Sequence, residues 1–162
     1  MWLFFSEGLA TEALYNILTR PTMGLFREAF LDQLIPDGKE DLGDFSVRLN
    51  TDHDGKVVSF DIHTEKQVIF IVPKFFGSAQ ECSADKTAIL RKEYPLFEQR
   101  ILCILTVMDR QAEIEEANKC EVATDNAVEV RSLRWSEILG VFARLRRESQ
   151  QSTEKIIQSV DG

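Results

Sequence analysis

Apolar side chains return at steps of three and four between residues 6 and 20, where Leu9, Ala13, Leu14, Ile17 and Leu18 mark one face of a helix. Ser6 offers an N-cap, and Pro21 stands just past the end. A second helix is predicted from Gly24 to Leu34, with Leu25, Phe26, Ala29 and Phe30 on its apolar stripe and Pro36-Asp37-Gly38 as the turn that closes it. The acidic stretch GKEDLGD reads as a solvated connection. Alternation then replaces the helical period. Phe45 to Leu49 switches apolar and polar at every residue, as a half-buried strand does. Residues 51–55, TDHDG, form a turn whose Asp and Gly tolerate positive φ. Val57 to His63 is the next strand. After a turn at 64–67, Val68 to Val72 is almost purely apolar, which predicts burial on both faces and a central place in the sheet.

Beyond Lys74 the pattern predicts a helix over 84–99 with a strongly charged face, and then RILCILTV as a second doubly buried strand. Residues 109–127 are polar and acidic, with part of them helical. Glu129 to Leu133 reads as an edge strand. Trp135 to Arg147 is an amphipathic helix with Ile138, Leu139, Phe142 and Leu145 inward, capped by Ser132 or Ser136. Residues 148–162 read as a polar helix or tail. Two helices, a three-strand meander, a helix, a strand and a closing helix define one α/β domain with a mixed sheet flanked by helices.

Composition narrows the class. The chain has 162 residues, 44% of them hydrophobic, enough for a real core. Its formal net charge is −8, so a phosphate backbone is repelled and nucleic-acid binding is disfavoured. Cys82, Cys103 and Cys120 are widely spaced, form no CxxC pair and have no histidine at zinc-ligand spacing. A reducing, cytoplasmic setting is the expectation. The opening MWLFFSEGLATEAL lacks a basic n-region and reaches Glu7 at once, so no signal peptide is expected, and no run approaches the roughly 20 apolar residues of a membrane helix.

The segment FDIHTEKQVIFIVPK, residues 60–74, bears on chemistry. It places Asp61 on one strand and Lys74 at the end of the next. Together with ATEALYNILTRPTMGLFREAFLDQLI before it, and RILCILTV and RSLRWSEILGVFARL after it, this ordered series resembles the PD-(D/E)XK nuclease superfamily over about residues 10–147. The resemblance implies a restriction-endonuclease-like core with two N-terminal helices, and residues 148–162 outside it. It also implies a Mg²⁺ site: hard oxygen ligands from an acid on the first strand and from an acid two residues before a lysine. Acid and lysine at that spacing share one strand face, and the lysine positions the attacking water. Carried over, Asp61 matches the first acid and metal ligand, Lys74 the lysine, and Glu12 a glutamate on the opening helix. Val72 stands where the second acid belongs, with Pro73 between. Tyr94 matches a helix tyrosine, but Leu90 stands in place of its glutamine.

The departures point to a degenerate member, a pseudoenzyme that acts through a protein partner or as a homo-oligomer, in a defence or DNA-processing system by the family's habit. The alternative is an active Mg²⁺-dependent nuclease whose second acid has migrated to Glu12 or Glu65. An unrelated α/β binding module is a third reading. His63 shares a strand face with Asp61, and His53 lies in a turn; neither pattern requires a ligand. Arg91 and Lys92, and Arg144, Arg146 and Arg147, read as solvated helix faces. Of the adjacent Phe75 and Phe76, only one can point inward from an extended segment, leaving the other for a partner surface.

Overall fold

The computed structural model describes residues 7–35, 44–122 and 124–161. Ser6, the Pro36-Asp37-Gly38 turn and most of the acidic connection lie outside them. Within the described residues there are five α-helices and one five-stranded sheet. In chain order these are α1 (Glu7–Thr19), α2 (Gly24–Leu34), β1 (Ser46–Thr51), β2 (Val57–His63), β3 (Gln67–Pro73), α3 (Ala79–Glu93), β4 (Gln99–Thr106), α4 (Gln111–Glu121), β5 (Glu129–Arg134) and α5 (Trp135–Asp161).

The strands lie in sequence order, β1 to β5. β1, β2 and β3 pair antiparallel, whereas β3, β4 and β5 pair parallel. β3 is central and every one of its residues is buried, as its unbroken apolar run predicts. β5 is an edge strand. The Asp52 carboxylate accepts the Asp54 and Lys56 N–H groups, both at 2.9 Å, and Gly55 supplies the positive φ of +78° that tightens the β1–β2 turn.

Alternation along the strands sorts side chains into two layers. On one face, Phe60, Ile62, Ile69, Ile71, Ile101 and Cys103 pack against α1, α2 and the start of α5. On the other, Val68, Phe70, Val72, Leu102 and Ile104 pack against Leu90 of α3 and Ile114 of α4. The two parallel steps run in one direction along the sheet, so crossovers of one hand place α3 and α4 on the same face. A sheet between two helical layers leaves β3 and β4 shielded on both sides.

The bounds of two helices and one cap differ from the sequence pattern. α3 spans 79–93 rather than 84–99; it stops at Glu93 because Pro95 pushes Tyr94 off helical geometry, to φ −126° and ψ 50°. α5 does not stop near Arg147; it runs unbroken through residues 148–161. Ser132 lies within β5, opposite Ile104, so it does not cap α5, and Ser136 lies inside the helix. Among the described residues no helix is long and apolar enough to cross a membrane.

Candidate functional site

β1 and β2 carry their polar residues on the face that α3 and α4 cover farther along the sheet. Arg48 pairs with Asp61 and Asn50 with Ser59 across the two strands. The Asp61 side chain is only 1% exposed. A buried carboxylate is costly unless it is paired and hydrogen-bonded. Here both oxygens are satisfied: Arg48 Nη2 donates to Oδ2 at 3.0 Å, and Asn50 Nδ2 donates to Oδ1 at 2.9 Å. The same Asn50 amide reaches Ser59 Oγ at 3.1 Å, and Arg48 Nη2 reaches the Tyr94 hydroxyl at 3.1 Å. The hydrogen bond to Asp61, and after it the field of Tyr94, hold the guanidinium still more firmly protonated than in free arginine.

An aromatic wall borders this cluster. The His63 ring meets Tyr94 edge-on at 5.3 Å, and Tyr94 also meets Phe70 and Phe97. His63 Nε2 stands 3.7 Å from Asp61 Oδ2, beyond hydrogen-bond reach, and has no hydrogen-bond partner among the described residues.

The other residues of the sequence motif lie along β3. Asp61 sits opposite Phe70. Val72 and Lys74 follow two and four positions on along the same face, so Lys74 is about 13 Å of strand away at ~3.3 Å per residue. Val72 belongs to the apolar cluster under α3. Pro73 fits without distortion. The Lys74 N–H bonds to the Leu105 carbonyl of β4 at 2.8 Å, and successive N–H groups alternate sides. The N–H that proline lacks would therefore face β2, where the ladder has already ended at Phe60 and Ile71. The chain then turns at Gly77, whose φ is +86°, with the Lys74 ammonium stem lying over it. Phe75 is fully buried and donates its N–H to Glu7 of α1 at 2.8 Å, while Phe76 is 61% exposed. One of the two phenylalanines points in and one out, at the bend that follows β3.

The structure does not bring the remaining candidates to Asp61. Glu12 is exposed on α1, which packs on the opposite face of the sheet. Glu65 is exposed in the β2–β3 turn, at the end of β3 away from Lys74. His53 is exposed in the β1–β2 turn beside Asp54. Leu90 is fully buried beneath the sheet. The residues present do not fit Mg²⁺: one carboxylate faces an arginine and an amide donor, and the next position on its face is a buried valine.

Arg48 and Asn50 carry the site, and neither stands out in the sequence. The available signal is their alternation with Val47 and Leu49, which puts them on the polar face of the β1–β2 hairpin together with Asp61. Fold and site define a single-domain α/β protein with a five-stranded mixed sheet and a buried, arginine-neutralised carboxylate. No family model, curated protein or solved structure matches the chain.

Proposed function

We propose that this is a catalytically degenerate, nuclease-like protein of the cytoplasm that acts by binding another protein, in a defence or DNA-processing setting. The observation that carries the reading is the Arg48–Asp61 pair. A guanidinium already neutralises the carboxylate that would have to hold a divalent cation, and the cation would have to displace it. Val72 supports the same reading, because a side chain buried in the apolar cluster with Leu90 and Ile104 offers no oxygen. So does the net charge of −8, which opposes a phosphate backbone.

The test is calorimetric titration with Mn²⁺ of the wild-type chain and of Asp61→Ala, followed by incubation of both with DNA and RNA. No Mn²⁺ binding in either protein is expected, with no metal-dependent cleavage. Micromolar binding that Asp61→Ala abolishes, together with cleavage, would establish an active nuclease with a relocated acid and end this proposal.

A further inference from the structure

α5 is far longer than the body it packs on. Its 27 residues extend about 40 Å at ~1.5 Å per residue. The first turns are anchored: Trp135 and Ile138 are buried, and Phe142 meets Phe26 of α2 edge-on at 5.4 Å. From Arg146 to Val160 every residue is exposed. An unsupported helix of this length is marginal in water, because most helical stability comes from packing an apolar face.

Apolar side chains return beyond the point where the burial ends. After Leu145 the sequence is polar for ten residues, RRESQQSTEK, and apolar side chains then return at Ile156, Ile157 and Val160; three- and four-residue steps through Ser149 and Ser152 put Ile156 on the face of Ile138, Phe142 and Leu145. Ile156 is 65% exposed, Ile157 56% and Val160 79%. An exposed apolar group of this kind, on the same helix face as a buried one, is a surface awaiting a cover.

The charges on α5 select the cover. Arg144, Arg146 and Arg147 crowd one stretch, while Glu148, Glu154 and Asp161 follow it, relieved only by Lys155. Two copies laid parallel would set the arginine cluster of one beside that of the other. Two copies laid antiparallel, crossing between Gln150 and Gln151, separate those clusters and oppose the helix dipoles favourably. In that register Ile156 of each copy faces Leu145 of the other. The small Ser149 and Ser152 meet at the crossing, where they let the backbones approach. Glu148 flanks Lys155 twice, once on each side of the two-fold axis.

We infer that the protein is a homodimer in which the exposed half of α5 from each copy lies antiparallel along α5 of the other. This deepens the binding reading by naming a second copy as a partner, and it uses a surface that shares no residue with the Asp61 cluster. The two therefore fail independently: a monomer would leave the metal titration unchanged, and metal binding would leave the mass unchanged.

Sedimentation equilibrium of the full chain, over about 1–100 μM to bracket a micromolar dissociation constant, is the experiment. The expected mass at the upper end is twice the chain's 18.5 kDa. Ile156→Asp should return the single-chain mass with the body still folded, because that side chain is exposed and supports nothing within the chain. Glu148→Lys and Lys155→Glu should each weaken the dimer about tenfold, and the double variant should restore it. A single-chain mass at ~100 μM, or a dimer indifferent to Ile156→Asp, overturns the proposal. A dimer that the charge swap fails to restore overturns its antiparallel register.

Discussion

Arg48 and Asp61 stand directly opposite each other on adjacent antiparallel strands, with the guanidinium 3.0 Å from a carboxylate that solvent barely reaches. The arginine itself is 60% exposed, so the pair spans the boundary between core and water. Removing the arginine leaves a buried charge short of its partner; removing both ends leaves only a polar gap. Arg48→Ala should therefore destabilise the fold by about 1–2 kcal/mol, discounted from a fully buried pair for the exposure of Arg48. The Arg48→Ala/Asp61→Ala double variant should cost less than the sum of the two single changes. Urea unfolding of all four proteins measures the coupling, and strict additivity would show that the pair does not interact.

Putting the missing acid back does not rebuild a metal site. Val72→Glu places a carboxylate among Val68, Phe70, Leu90 and Leu102, with Arg48 still bound to Asp61. Expected are a loss of about 2–4 kcal/mol from the buried, unpaired group and no gain of Mn²⁺ binding. Thermal unfolding with and without Mn²⁺ reads both. A variant stabilised by the metal would mean that Arg48 yields its place readily.

Gly77 is held by geometry rather than by contacts of its own. Its φ of +86° strains any L side chain, and a Cβ there would sit 3.3 Å from Lys74 Cε. Gly77→Ala is expected to cost about 1–2 kcal/mol and to shift the Lys74 stem. Differential scanning calorimetry gives the cost; an unchanged melting temperature would contradict the left-handed turn.

Cys103 sits deep in the layer under α1 and α2, and burial pushes its thiol up to about 12, with the charge of Arg131 opposing only in part. In the unfolded chain the thiol ionises near 9.0, so the unfolded state loses its proton first. Stability is intact below pH 9 and falls as the pH rises from 9 towards 12, by about 1.4 kcal/mol per pH unit from this group alone. Cys103→Ala should remove that slope. Denaturation midpoints of both proteins between pH 8 and about 11 decide it, and parallel curves would mean that the thiol is not shielded.

A second readout concerns reactivity. Cys120 is exposed, whereas Cys103 is buried. In a Cys82→Ser background one thiol should react with an aromatic disulfide reagent in the native protein and two after unfolding. Two fast thiols in the native state would argue that the β4 layer opens readily.

Much of the architecture follows from periodicity alone, for a physical reason: burial acts on each residue where it stands in the chain. The unbroken apolar run Val68 to Val72 suggests a strand covered on both faces, and it lies at the centre of the sheet. The half-apolar residues 129–133 suit an edge. One of Phe75 and Phe76 had to turn outward, and Phe76 did. What periodicity could not determine is which polar residues meet. Arg48 reaches Asp61 only because the β1–β2 register shifts between Asn50 and Thr51; without that shift, the pairing set by Thr51 and Val57 would put Arg48 opposite Phe60. A slip of one residue turns every side chain to the other face, and local sequence carries little energy to choose between registers. The Glu7 bond to Phe75, and the bond from Arg131 to the Leu34 carbonyl at 2.9 Å, join segments far apart in the chain. Such contacts exist only after the helices have docked, so they belong to the tertiary structure. Asp61 was visible from the start as an acid on a strand. That it faces an arginine rather than a second acid was decided by how β1 folds back onto β2.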